Sequence, residues 1–339
     1  MTVNIGLITS EALVLGCDSV ASTIDYLLDP TGHYATDADG KPIRDADGKF
    51  IIKFGYEDFR PIVTNAWGGV TKMFQIHPDP SPVVAVTSGL AKLQERSIAS
   101  HAIEFFAKAK RRDQKLVNIK IICEQFLKAM RGRYNAHYRG SPLPEQFREG
   151  PEFLIGGIGR DDEFPSLYRV SVQHNLIVED FVGGKTGVSW NGQADAVERF
   201  IRGFDGPIRQ YVESTIGEAL KTHATATQAY ITELVNGILD KLHQALPPGT
   251  EIKPPELGKI ALDWMRFSLQ IDYANLPLQE AVSFVSAMVM SQASKARFAV
   301  GVATVGGRTH IGVVTKADGF KSLNEPELTH RYTGFSDDV

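Results

Sequence analysis

The chain reads as an α+β protein in which two packed sheets are covered by helices on both outer sides. Three observations predict this. Short β-rich runs come in adjacent pairs, as antiparallel hairpins require. Longer segments with helical periodicity alternate with those pairs. The order is strands, two helices, strands, helices, strands, which lacks the regular strand–helix–strand alternation of a parallel sheet.

Residues 3–8 and 12–17 are apolar β-rich runs joined by Thr9, Ser10 and Glu11, so a hairpin opens at the second residue and ends at Asp18. Residues 29–61 turn polar and carry Asp-Ala-Asp-Gly-Lys twice, at 37–41 and 45–49. Asp-Gly is a hairpin turn pair, so a solvated hairpin insertion is expected. A calcium loop is the other reading, although the remaining ligands and the closing Glu of an EF-hand are missing. Strands are expected over 63–76 and 83–88, helices over 90–112 and 115–139, and strands over 153–157, 167–172 and 176–182. Residues 192–203 read as helix, and 205–275 as mostly helical with breaks at Leu246-Pro247-Pro248-Gly249 and Pro254-Pro255. An apolar helix over 277–295 precedes a closing hairpin, 298–305 with 309–314, and a polar, peripheral tail over 317–339.

Composition narrows the function classes. The 339 residues hold 36 Lys and Arg against 40 Asp and Glu, a formal charge of −4, which gives no electrostatic footprint for nucleic acid. At 43% hydrophobic and 22% charged, the chain is ordinary globular protein. Two cysteines, Cys17 and Cys123, allow neither a disulfide framework nor a four-cysteine zinc site. Both sit in apolar surroundings and read as buried thiols of a cytoplasmic protein. The apolar run 281–290 is too short to span a bilayer, and no signal peptide is legible, so no membrane partner is expected.

Several patterns fail on spacing. Gly183-Gly184-Lys185-Thr186 looks like the end of a phosphate-binding loop, but that loop needs a glycine where Glu179 stands. Gly156-Gly157-Ile158-Gly159 precedes a strand instead of a helix, so it reads as a hairpin turn. The nine histidines form no metal-binding spacing, Asp161-Asp162-Glu163 reads as a solvated loop, and no Gly-x-Ser-x-Gly elbow is present. No metal or cofactor is expected.

The residues that carry chemistry are Thr2, Asp18, Lys72 and Gly89. Removal of Met1 would expose Thr2, whose hydroxyl and α-amine unite a nucleophile and a base in one residue. The amine's ordinary pKa of about 8 suits that role near neutral pH. Singly, each residue also has a bland reading: a strand threonine, a turn aspartate, an edge-strand lysine and a glycine before a helix.

Taken together, they resemble the proteasome-type N-terminal nucleophile hydrolases. Asp18 follows Thr2 at the family's spacing, and Leu15-Gly16-Cys17-Asp18-Ser19 is similar to the segment around its catalytic Asp. Thr71-Lys72-Met73-Phe74 resembles the Lys before a hydrophobic strand, and Thr87-Ser88-Gly89 the glycine that supplies an oxyanion donor. Lys72-Met73-Phe74, Thr87-Ser88-Gly89-Leu90-Ala91 with Gln94, Phe153-Leu154-Ile155-Gly156-Gly157 and residues 291–301 resemble the bacterial ancestral-β-subunit (Anbu) type most closely. The resemblance covers roughly 1–27, 62–204 and 276–316.

It implies a four-layer αββα sandwich forming one domain over 1–316, with insertions at about 28–61 and 205–275. It implies hydrolysis of peptide or amide bonds in peptides or unfolded proteins, inside a ring or helical self-assembly, with an unfoldase as a further partner. Thr2 would be nucleophile and amine base, Lys72 would favour the neutral amine and the developing alkoxide, Asp18 would hold Lys72, and Gly89 would donate to the oxyanion. Ala21, Ser22, Val70, Phe74 and Thr87 would line the substrate pocket.

There are departures. Trp190-Asn191-Gly192 stands where the family has Gly-Ser-Gly, so Asn191 would replace that hydroxyl. Ala296-Arg297-Phe298-Ala299 stands where the family has Asp-x-x-Ser, and Val20 where it has Arg. These departures support a second reading, an inactive scaffold or partner-binding subunit. An amidase for small substrates shares the chemistry but predicts an open site. The apolar positions Ile216, Leu220, Tyr230, Leu234, Ile238 and Leu242 repeat at helical spacing and fit either a subunit contact or core packing.

Overall fold

The computed structural model describes residues 2–28, 33–55, 58–78, 81–111, 118–247, 253 and 262–323. Met1, the breaks expected at Pro248-Gly249 and Pro254-Pro255, and the tail beyond 323 lie outside the described residues. The chain divides into two compact units, Met1–Ala194 with Ile271–Val339, and Asp195–Gln270.

The first unit holds two five-stranded antiparallel sheets. One runs in the order β12 (Gly187–Gly192), β1 (Val3–Ile8), β2 (Ala12–Cys17), β13 (His310–Thr315), β14 (Gly319–Ser322). The other runs β11 (Leu176–Phe181), β10 (Ser166–Ser171), β9 (Pro151–Gly157), β6 (Val83–Gly89), β5 (Met73–His77). The sheets meet face to face through Ile8, Leu13, Leu15, Cys17 and Val314 of the first and Val84, Val86, Leu154 and Leu167 of the second. Alternation along each strand then sends Val83, Ala85, Phe153 and Ile155 to the outer face. There they pack with α1 (Ile98–Arg111) and α2 (Ile119–His137) around Phe126, whose ring meets Phe153 edge-on. A fully buried Phe of this kind contributes about 1.5–3 kcal/mol. On the far side, α5 (Leu278–Phe298) lies against β1, β2 and β13.

The sequence run over 63–76 divides at Gly68-Gly69. Its first part is β4 (Phe59–Trp67), which pairs with β3 (Ala21–Leu28) in a separate ribbon, and its second part is β5. The helix expected from residue 90 starts at Ile98, because a small hairpin of β7 (Lys92–Leu93) and β8 (Arg96–Ser97) precedes it. Gln94 and Glu95 turn that hairpin with φ of 50° and 62°. The helix expected over 192–203 is shorter, α3 (Asp195–Arg202), since β12 runs through Gly192. The strand expected over 298–305 does not form. Phe298 ends α5 and is 83% exposed, and a loop interrupted by Gly301, Gly306 and Gly307 leads to β13. The closing hairpin is instead β13 with β14, so an edge strand comes from the stretch read as tail.

The polar insertion is not a simple hairpin. Asp37 Oδ1 accepts from the backbone N–H groups of Asp39 and Lys41, and Asp45 Oδ1 repeats this with Asp47 and Lys49. Three backbone bonds close a ring between the repeats: Ala35 N–H to Ile51 O, Ile51 N–H to Ile43 O, and Ile43 N–H to Ala35 O. Asp37 and Asp45 thus direct an oxygen to their own turns, which is turn chemistry.

The second unit is built on α4 (Gly206–Lys241), a 36-residue helix. Asp205 caps it by accepting from Ile208 N–H at 2.9 Å and also pairs with Arg199 at 2.6 Å. Pro207 in the first turn costs no helical hydrogen bond.

Candidate active site

The β1–β2 hairpin pairs Asn4 with Cys17, so Thr2 and Asp18 both lie at its open end. There the Asp18 side chain continues the ladder. Its Oδ1 accepts from Val3 N–H at 3.1 Å and from Lys72 Nζ at 2.8 Å. Its Oδ2 accepts from Val20 and Gly306 N–H, each at 3.1 Å. One carboxylate thereby ties β1, the chain after β2, the start of β5 and the loop before β13 together. Asp18 is 1% exposed and Lys72 4%. A buried pair of opposite charges is tolerable only with such additional hydrogen bonds. Burial holds the Lys72 ammonium below its ordinary pKa, and Asp18 opposes that shift. His310, opposite Cys17 in the β2–β13 ladder, is also held below its ordinary value by burial. Asp18 pulls His310 up, while Lys72 and Arg308 push it down. Burial and Asp18 push the Cys17 thiol up, so it is inert as a nucleophile.

Thr2, Lys72 and Gly89 line one cavity of about 440 Å³ of empty space, including its open mouth. Its walls also carry Ala21, Ser22, Val70 and Thr87, four of the five expected pocket residues. Phe74 is not among the lining residues. Its position on β5 turns it to the helix side, where its ring meets Phe153 in the core. Leu90, Ala91, Ser97, Ile98 and Ala99 also line it, from the β7–β8 hairpin region and the start of α1, and sequence reading did not find them.

Gly89 ends β6 with φ of 77°, and a Cβ there would lie 2.5 Å from the Gly150 carbonyl oxygen. Both the backbone conformation and the space demand glycine.

Asn191 is not on this cavity. It pairs with Asn4 across β1 and β12, accepting from Asn4 Nδ2 at 2.7 Å, and lines a different depression with Glu152, Arg169 and His174. The residues brought to Thr2 from that strand are the next two. Gln193 N–H donates to Thr2 O at 2.6 Å, and its side-chain oxygen accepts from Thr304 Oγ1 at 2.9 Å. Gly192 has φ of 77°, and a Cβ there would stand 2.0 Å from Thr2 O. Ser88 also lines the cavity. The alternation Val84, Val86, Ser88 was a sequence signal for Ser88, whereas nothing in the sequence pointed to Gln193.

Among the described residues, no three or more His, Cys, Asp or Glu side chains form a group that could hold a metal ion. No described helix is long and apolar enough to cross a membrane.

No family model matches the chain, and no curated protein matches it either. Among solved structures it is similar to the Anbu (Gly-1) mutant from Hyphomicrobium sp. strain MC1, at 11% identity and a TM-score of 0.44, over 95% of this chain and 87% of that one. It is similar to Anbu (ancestral beta-subunit) from Yersinia bercovieri at 10% identity and a TM-score of 0.44, again over 95% and 87%. It is also similar to the helical assembly of the Anbu complex from Pseudomonas aeruginosa, at 12% identity and a TM-score of 0.43, over 92% and 81%.

Proposed function

We propose that this chain is an N-terminal threonine hydrolase of peptide or amide bonds, active once Met1 is removed. One observation carries the reading. Thr2, Lys72 and Gly89 line a single cavity, and Asp18 holds the Lys72 ammonium at 2.8 Å. In the first step Thr2 Oγ1 attacks the scissile carbonyl carbon and its proton passes to the Thr2 amine. The carbonyl π electrons move to oxygen, and the Gly89 N–H donates to that oxyanion. Donors of this kind are worth about 3 kcal/mol. Lys72 favours the neutral amine and the developing alkoxide by its charge. Collapse expels the leaving amine, which takes the proton from the Thr2 ammonium. Water, deprotonated by the same amine, then cleaves the acyl–Thr2 ester and restores the site.

The same reading takes the first unit as a four-layer αββα sandwich, treats 205–275 as an insertion in one domain over 1–316, and puts the protein in the cytoplasm. It has copies of the chain assemble in a ring or helix around peptide or unfolded-protein substrates, fed by an unfoldase. Exposed Tyr211, Tyr230, Leu234 and Ile238 on α4 support self-association. The second reading, an inactive scaffold, is supported by the end of α5, where Ala296–Ala299 supplies no acid.

Intact mass before and after incubation with a peptide epoxyketone tests the reading, since that reagent needs both the hydroxyl and the free amine. Loss of Met1 and a single adduct that Thr2→Ala abolishes are expected. Retained Met1 with no adduct would favour the scaffold.

A further inference from the structure

A free amine at Thr2 needs a hydrogen-bond acceptor that directs its lone pair to the Thr2 hydroxyl. Asp18 is already committed: each of its oxygens accepts two donors. Asn191 lies on another depression. Val3 N–H points to Asp18, on the β2 side, whereas Thr2 O faces Gln193 on the β12 side. In an extended chain the N–H and C=O of one residue share an edge, so the Thr2 amine also faces the β12 side.

Ser88 stands there. It is 3% exposed, and its Oγ finds no hydrogen-bond partner among the described residues. A native fold rarely keeps a buried hydroxyl unsatisfied without a reason. Val84 and Val86 point between the sheets, and strand alternation sends Ser88 the same way. A Cβ on Gly192 would lie 2.0 Å from Thr2 O and 3.3 Å from Ser88 Cβ. Ser88 Cβ and Thr2 O are therefore no more than 5.3 Å apart, the sum of those distances. Ser88 also lines the cavity that Thr2 lines.

We propose that Ser88 is the positioning residue for the Thr2 amine, its Oγ accepting a hydrogen bond from the amine and orienting the lone pair toward the Thr2 hydroxyl. The inference rests on the threonine-hydrolase reading. It explains an otherwise costly feature of the fold: Ser88 is unsatisfied in the chain carrying Met1 and gains its partner when processing frees the amine. The bond is stronger to the ammonium than to the neutral amine, so Ser88 also favours the protonated form reached during attack. The other titratable groups facing this region are Lys72 on the cavity wall, Asp18 and His310 behind it, and Glu152, which the β6–β9 register sets opposite Ser88.

The test is the rate of adduct formation between the full chain and a leucine-ending tripeptide epoxyketone, followed by intact mass across pH, for wild type and Ser88→Ala. The variant should react about tenfold more slowly on the plateau, as loss of one charge-assisted hydrogen bond implies. Its pH midpoint should move down, since the ammonium loses an acceptor. In a form that keeps Met1, its melting temperature should hold or rise, because the hydroxyl removed there is buried and unsatisfied. Wild-type rate and midpoint in Ser88→Ala would overturn the inference. A slower rate with a lower melting temperature and an unmoved midpoint would also overturn it, as that is a packing effect. A wild-type chain that takes up no reagent at any pH would overturn the hydrolase reading itself, and this inference with it.

Discussion

Lys72 Nζ donates to Asp18 Oδ1 at 2.8 Å where both side chains are almost wholly buried, and three backbone N–H groups fill the rest of the carboxylate. The pair therefore joins the stability of the fold to the chemistry of the cavity, because four separate segments converge on it.

Removing either partner should be costly. Lys72→Met leaves Asp18 buried without its countercharge, and breaking a buried pair this way costs about 3–5 kcal/mol. Asp18→Asn keeps the size but turns an amide NH2 toward existing donors, so a loss of similar order is expected. Urea denaturation of both variants checks this, and adduct formation should fall in both even where the fold persists.

Stability should rise with pH through the window just below 6.5. His310 is held below 6.5 in the fold by burial, so in that window the unfolded chain binds more protons than the folded one. The folded state is then penalised as pH falls through the window. Lys72 has the same sign, with its window just below 10.5. Urea midpoints at pH 7 and pH 5.5 should differ in wild type and differ less in His310→Asn. An equal acid loss in both would show that other groups carry it.

Gly89→Ala should impair folding and chemistry together. The residue sits at φ of 77° with the Gly150 oxygen 2.5 Å from any added Cβ. The conformation alone costs about 1–2 kcal/mol. On the proposed mechanism the displaced N–H would remove the oxyanion donor, lowering the turnover rate by about 10²–10³-fold. Peptide hydrolysis alongside thermal melting separates the two effects.

The cavity should select uncharged side chains of modest size. Its wall is mostly small, with Ala21, Ser22, Val70, Thr87, Ala91 and Ala99, and Lys72, the charged side chain among the described lining residues, is already paired. A peptide panel varied at the residue before the scissile bond should favour medium apolar groups over Asp, Glu, Lys or Arg. Ala99→Phe should fill the cavity and raise KM for the larger members, while leaving Thr2 reactive toward a small electrophile.

Much of this was legible in the sequence. The opening hairpin, with β1 and β2 matching the expected bounds, follows from two apolar β-rich runs around a three-residue turn. The Asp18–Lys72 pair and the joint lining by Thr2, Lys72 and Gly89 were implied by the family resemblance of the segments that carry them. Local pattern was enough for the opening hairpin because a hairpin fixes its own register. It failed where the decisive partner was distant. β12 was missed, since Gly187–Gly192 alternates over only Val188 to Asn191 between two glycines and pairs along its length with β1, which is distant in sequence.

Sequence by itself determined the chemistry available: a threonine at the second position, a lysine, an aspartate, a glycine after an apolar run, and hydrophobic runs able to bury them. Tertiary structure alone decided which side chains meet. It sent Phe74 into the core and Asn191 to another depression, and it brought Ser88, Gln193 and Gly306 around Thr2 and Asp18. The physical reason is that strand alternation sets which way each side chain points, but only the packing of two sheets sets what stands opposite.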